Sequence, residues 1–291
     1  MASVVRSGRA WWSLPPAVFI ATVVLLPLAL LVAFSVLRIE GGSLTAAFSF
    51  RAWREVLTDP LYIRLIGRSM RLGAVTAVLT AVLGFPVALG IWKLPAAHKG
   101  LALIVLLTPL YTGEIMRLYA WRLVLGAQGM LNSLLQWLGV IDAPLRALLF
   151  SPFATHVVLF YNTLPYMVLC LWVSLELIDR RQVEAARDLG ATPRVVFARI
   201  LLPLAMPGLI GGAFIVFALA AGDLTTPNLM GGTSGGTAMA MIDNLFGTAF
   251  DWSLASAMAL CLLAALVGIP LLAGLALSRL RTVRRVLGAS R

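Results

Sequence analysis

Charged residues punctuate this chain at long intervals, and the gaps between them are its first structural signal. Twenty-eight uncharged residues separate Arg9 from Arg38, and 21 separate Arg71 from Lys93. Gaps of 29, 23 and 27 residues follow between Arg146 and Glu176, Arg199 and Asp223, and Asp251 and Arg279. A helix needs about 20 mostly apolar residues to cross the hydrocarbon layer, so each of these five runs is long enough. A sixth gap, Lys99 to Glu114, encloses only 14 residues. It continues as EIMRLYAWRLVL and can span if its charges face protein or water. The pattern predicts six membrane helices, near 12–37, 67–92, 99–124, 148–177, 201–224 and 252–278, in one domain covering residues 1–291.

Two further uncharged stretches read differently. Leu123–Ile141 is diluted by Gln128, Asn132, Ser133 and Gln136, which suits the end of the third span followed by an amphipathic helix at the interface. Leu224–Ile242 is rich in Gly and Thr and carries Pro227, the composition of a glycine-rich loop.

Composition agrees with the bilayer as solvent. Of the 291 residues 60% are hydrophobic and 12% charged, against about 25% charged in soluble domains. The expected fold is an all-α integral membrane protein. The first apolar run is too long for a signal-peptide core and lacks a small-residue cleavage site, so it should remain as an anchor. Cys170 and Cys261 both fall inside predicted spans, where a lone cysteine serves packing.

Numbering the compartments alternately, one side receives fourteen of the 23 basic residues: Arg6, Arg9, Lys93, Lys99, Arg180, Arg181, Arg187, Arg194, Arg199 and the tail from Arg279 to Arg291. Most loop acids, including Glu40, Glu55, Asp59, Asp142, Asp243 and Asp251, fall on the other. The positive-inside rule then places both termini in the cytoplasm. The net charge of +11 is this topology signal plus attraction to anionic membrane lipids, on which Arg279, Arg281, Arg284 and Arg285 should anchor. The basic residues are dispersed among spans rather than gathered on one face, which argues against nucleic acid as a partner.

One cytoplasmic segment, residues 179–199, stands out. Asp179 can cap a helix with Gln182 at its third position, a capping-box arrangement. Gly190 can end it in a left-handed conformation. Thr192 can cap a second helix with Pro193 at its first position. That helix enters the membrane through Pro203 and Pro207, where missing hydrogen bonds permit kinks. Helix, turn, helix of this kind either docks in another protein's groove or simply links two spans.

The segment EAARDLGATPRVVFARILLPLAMPG resembles the EAA loop of ABC-transporter permease subunits. The matching positions are Glu184, Ala185, Ala186, Gly190, Ile200, Leu202 and Pro203. LYAWRLVLGAQGMLNSLL, LFYNTLPYMVLCLWVSLELID and GDLTTPNLMGG look like stretches of spermidine/putrescine-type permeases, and the similarity covers roughly residues 60 to 278. That subfamily also includes systems for opines, aminophosphonates and ferric iron. The resemblance implies a type I ABC importer permease fold in the bacterial inner membrane, with Glu184, Ala185, Ala186, Asp188 and Gly190 on a coupling helix seated in a cytoplasmic ATPase dimer. It also implies a second permease subunit and a periplasmic or extracellular substrate-binding protein. No Walker-type glycine loop with its lysine occurs, so ATP and Mg belong to the partner ATPase and this chain carries no cofactor and no catalytic residue.

Candidate cargo residues come from charges and aromatics at membrane depth, which usually face a cavity or a partner. Glu114 and Arg117 lie three apart, with Trp121 four further on. They can neutralise one another, with Arg117 stacked on Trp121, or Glu114 can attract a cation from a cavity wall. Family members often carry a small or neutral residue at Glu114, which leaves the cargo open. Asp223 can cap its own turn or sit at a pathway mouth. Tyr161, Asn162 and Tyr166 around Pro165 can enclose an alkylammonium by cation–π contact or anchor at the interface. Asp243 and Asp251 suit a docking protein or solvent. His98 and His156 have no second ligand at metal spacing. The expected function is half of an importer pore for a polyamine or related organic cation. The rival is a self-sufficient secondary transporter or channel, against which stands the scarcity of buried ion-coupling groups; an intramembrane hydrolase lacks a partnered base.

Overall fold

The computed structural model describes residues 8–40, 43–145, 148–232 and 235–279. Arg6, Arg146, Thr233, Ser234 and the tail arginines Arg281, Arg284, Arg285 and Arg291 lie outside the described residues, and with them the expected lipid anchor. Among the described residues the regular structure is helical apart from one small hairpin, and the chain divides into two compact units, residues 1–64 with 241–264 and residues 65–240 with 265–291.

The elements follow in order: α1 (Gly8–Val36), β1 (Leu37–Glu40), β2 (Ser43–Phe48), α2 (Arg51–Thr58), α3 (Pro60–Lys93), α4 (Ala96–Tyr111) and α5 (Glu114–Leu125). Then come α6 (Met130–Trp137), α7 (Pro152–Glu176), α8 (Arg180–Asp188), α9 (Pro193–Val196), a π-turn (Phe197–Leu201), α10 (Leu202–Ala221), α11 (Thr225–Met230), α12 (Ala238–Gly247) and α13 (Trp252–Arg279). Among the described residues four helices are long and apolar enough to cross a membrane: Pro60–Lys93, Pro152–Glu176, Pro193–Ala221 and Trp252–Leu272. A fifth is a broken pair, Ala96–Tyr111 and Glu114–Trp137, bent by 94°, and α1 contributes a shorter apolar stretch, Ala21–Val36.

The broken pair differs from the continuous span expected over 99–124. Pro109 removes a backbone donor, and Gly113 takes an extended conformation (ψ 137°) that ends one helix before the next begins. The hairpin was not anticipated. Its strands pair antiparallel, Ile39 opposite Leu44, on either side of Gly41-Gly42 in the sequence, a dipeptide suited to tight hairpins.

In the first unit Val56 and Ala52 of α2 are buried. Trp53 Nε1 donates to Ser35 Oγ at 3.1 Å, and Trp252 meets the rings of Phe34 and Phe246 edge-on at 5.8 and 6.2 Å. Asp251 caps α13 by accepting from Leu254 N at 3.0 Å.

The second unit is built on α7 and α10. Ser151 accepts from Ala154 N and Pro152 occupies the first turn, which fixes the start of α7. Gly208 and Gly212, four apart on one face of α10, let the backbones close. A Cβ on Gly208 would collide with the Cys170 carbonyl and Ser174 Oγ, and one on Gly212 would lie 2.9 Å from Met167 Sδ. In a bilayer, where apolar burial does not drive helices together, small residues at this spacing permit the close packing that does. α3 joins through Gly73, against the Phe217 carbonyl, and Gly84, against Met167. The π-turn answers Pro203. Proline cannot donate to the Arg199 carbonyl and its ring crowds that oxygen, and Leu202 N–H instead reaches back five residues to Phe197 O.

Candidate functional site

The chain from Asp179 to Val196 forms the helix, turn and second helix expected within residues 179–199, and α8 with its closing turn makes a short peg. Asp179 accepts from Arg181 N at 2.9 Å, so the carboxylate caps the second helical position. Gln182 enters the cap through its backbone N–H, bonded to Asp179 O, rather than as the third-position partner of a capping box. The C-terminus closes as a Schellman motif: Gly190 N to Arg187 O at 2.8 Å and Ala191 N to Ala186 O at 3.0 Å. Gly190 has φ +81°, a conformation that costs other residues roughly 1–2 kcal/mol. Thr192 sits at the start of α9, with Pro193 at its first position, but its side chain makes no capping bond. Glu184, Ala185 and Asp188 are exposed, Ala186 is half-buried, and Val183 alone is buried. Leu189, beside the turn, is 89% exposed.

Two contacts absent from the sequence reading tie this peg to the bundle. Arg180 donates to the Trp92 carbonyl at 3.0 Å and lies 5.2 Å over its ring, capping the end of α3. Just before the peg, Glu176 pairs with Lys99 at the start of α4 and accepts from Trp172 Nε1.

Beside the middle of α7 a cleft of about 330 Å³ opens between α4, α5, α7, α10 and α11. Five of the seven sequence-selected residues line it: Glu114, Arg117, Asn162, Tyr166 and Asp223; Thr163, Thr225 and Leu110 complete the wall where no sequence signal had marked them. Arg117 donates to Pro109 O at 2.5 Å. The last carbonyls of a helix lack internal partners, so this bond satisfies the end of α4 and holds the 94° break. Glu114 begins α5, where the helix dipole favours a negative charge.

The structure corrects the internal-pair reading of these residues. Among the described residues Glu114 and Arg117 form no ion pair and Arg117 does not stack on Trp121. Arg117 is spent on the α4 carbonyl, and Trp121 packs edge-to-face with Tyr161 at 5.4 Å. Neither Trp121 nor Tyr161 lines the cleft, and Trp121 packs against the core of Leu118, Leu125, Ala154, Val158 and Met230.

Asp223 does cap its turn, as one reading held. Its two oxygens accept from Thr226 N at 3.0 Å and Thr226 Oγ1 at 2.6 Å, and the side chain still faces the cleft. The stretch expected as a glycine-rich loop is thus a short helix, α11, before the loop proper. Two buried polar atoms in this wall, Arg117 Nε and Asn162 Oδ1, have no partner among the described residues. Buried polar atoms are nearly always satisfied, so this donor and this acceptor are the cleft's groups with hydrogen-bonding capacity to offer a ligand. The wall counts two carboxylates against one guanidinium.

The model of a family described as the binding-protein-dependent transport system inner membrane component matches residues 10–282. The chain is 38% identical over 210 residues to the spermidine/putrescine transport system permease protein PotB of Escherichia coli (strain K12), covering 71% of this chain and 74% of that protein. It is 31% identical over 244 residues to PotB of Haemophilus influenzae, covering 81% and 82%. A chain in the crystal structure of a bacterial alginate ABC transporter with its pentasaccharide-bound periplasmic protein superposes with a TM-score of 0.75 at 16% identity, covering 94% of this chain and 95% of that one.

Proposed function

The chain belongs to the family of binding-protein-dependent transport system inner membrane components, and from that premise we propose how its two sites divide the work of import. It is a multi-pass subunit of the bacterial inner membrane and a transport subunit rather than an enzyme. An ABC ATPase and a substrate-binding protein are its partners. In our reading six helices cross the bilayer with both termini and α8 on the cytoplasmic side, a second permease completes the pore, and ATP and Mg are held by the ATPase dimer.

Helix α8 is the peg. Glu184, Ala185, Ala186, Asp188 and Gly190 enter a groove of the ATPase, and closure of the ATPase dimer on ATP moves the peg and rocks the pore. Hydrolysis resets it. The stiffness of a capped helix with one buried residue suits this role, because a frayed segment would absorb the displacement rather than transmit it.

The cleft is the cargo path. Glu114 and Asp223 attract an ammonium, Tyr166 offers an aromatic face at 36% exposure, and Asn162 supplies its free acceptor. The observation that carries the cargo assignment is the excess of one negative charge in that wall. It favours a small organic cation of the polyamine kind, in keeping with what the PotB proteins transport by name.

The test is transport and ATPase stimulation by the assembled complex in proteoliposomes, with binding protein loaded with polyamines, opines or aminophosphonates. Stimulation by polyamines alone supports the reading. Stimulation by anionic cargo alone overturns the cargo, and transport by this chain without any ATPase overturns the importer.

A further inference from the structure

A second cavity of the chain has the opposite charge. It holds about 90 Å³ and is lined by Arg68 and Arg71 of α3, Thr155 and His156 of α7, Pro227 of α11 and the Gly235–Thr237 loop. No carboxylate contributes to it. Arg68 and Arg71 stand three apart, hence on one helix face, and neither forms an ion pair among the described residues. Arg68 reaches only the Gly236 carbonyl, at 3.4 Å.

His156 points the same way. Its Nδ1 lies 2.6 Å from the Pro152 carbonyl. A carbonyl only accepts, so Nδ1 carries a proton and Nε2 is the nitrogen left for another partner. An ammonium cargo is repelled by this wall; an oxyanion fits it, since a guanidinium fork matches phosphate oxygens in pairs.

Depth identifies the source. The uncharged run of α3 from Leu72 to Trp92 is 21 residues, roughly 31 Å at 1.5 Å per residue, which fills the hydrocarbon layer. Arg71 and Arg68 then fall in the headgroup layer, where lipid phosphates lie.

We infer that Arg68, Arg71 and His156 form a phosphate-binding site, distinct from the cargo cleft, that holds the headgroup of an anionic phospholipid. The site shares α7 and α11 with the cleft wall, Pro227 facing one cavity and Thr225 the other. It does not depend on the cargo assignment.

Native mass spectrometry of the assembled, delipidated complex titrated with phosphatidylglycerol tests this. R68Q/R71Q is expected to lower retained lipid at least about tenfold, the factor that a single lost charge-assisted contact is worth by itself. R54Q, at an exposed position of α2, removes the same kind of charge elsewhere and should retain wild-type binding. Gly236→Asp keeps both arginines and the helix packing. A Cβ there meets Arg68 Nη1 at 3.6 Å, ordinary contact, and the added carboxylate should displace the lipid as effectively. Displacement of bound lipid by millimolar inorganic phosphate would assign the site to free phosphate instead of lipid, and resistance to it assigns the headgroup. Undiminished lipid retention in both R68Q/R71Q and Gly236→Asp, with no phosphate-dependent rise in melting temperature, overturns the site.

Discussion

Helix α8 and the cleft spend their polar residues in different ways. In α8 the groups that close the helix belong to its own segment, and one side chain, Arg180, reaches out to the end of α3. Asp179 closes one end, the Gly190 turn closes the other, and Val183 is the one buried residue. The cleft is assembled from residues spread between Leu110 and Thr225, and its polar groups divide: Asp223 caps its own turn and Thr163 bonds its own helix, while others reach further or stay unpaired. Arg117 holds the end of α4, while Asn162 Oδ1 stays unpartnered. A peg that carries its own folding instructions can be pushed by a neighbour without unravelling. A cleft that exists only through packing changes shape whenever its helices move. That difference is what an import cycle needs.

Substitutions can break this contrast, and the largest effect should come from the packing beneath the cleft. Gly208→Leu places a side chain on the Cys170 carbonyl and Ser174. Overpacking costs typically 1–3 kcal/mol and occasionally more; against backbone it should exceed that range, and size-exclusion chromatography should show no monodisperse complex. Next comes the peg. Ala186→Glu puts a charge on its half-buried face, and Gly190→Pro demands φ near −65° where the chain has +81°. Both should leave the membrane fold and melting temperature intact while cutting cargo moved per ATP at least about tenfold, a loss of roughly 1.4 kcal/mol in coupling. Wild-type coupling in both would erase the contrast.

Within the cleft, Glu114→Gln removes one of two carboxylates without disturbing a bond. The KM for a cationic cargo should rise roughly tenfold with ATPase coupling retained, as expected for one charged contact. The smallest effect is that of Thr226→Val, which deletes the 2.6 Å bond to Asp223. It should cost about 1 kcal/mol and lower the melting temperature by a few degrees, with transport kept.

The same contrast explains what could be read from the sequence. Asp179, Gly190 and Pro193 encode the peg locally, so the spacing of a few residues located it, and EAA with its glycine marked the family. The long spans were legible because charge-free runs need no tertiary context. The break between α4 and α5 was not. A proline and a glycine at 109 and 113 warn of a bend, but its 94° is set by Arg117 reaching a carbonyl eight residues back. Arg180 on Trp92 joins positions 88 apart in sequence, beyond the reach of any periodicity. Gly208 and Gly212, spaced as G-x-x-x-G, received no reading from the sequence, and only the structure makes them the face of α10 that packs on α7. In the cleft, polar and aromatic character picked out five lining residues, whereas Trp121 shared that chemistry and went to the core with Tyr161 against its ring. Chemical type selects candidates, and only packing decides which way they face.

The central claim is that α8 seats in the ATPase, and the exposed Leu189 at its end offers the most direct probe. A photo-reactive amino acid replacing Leu189 in the assembled transporter should cross-link to the ATPase subunit on illumination, with and without nucleotide, and yield no such product when placed at Leu57 on exposed α2. If the Leu189 probe labels only lipid, water or this chain itself in every nucleotide state, α8 is not the coupling element.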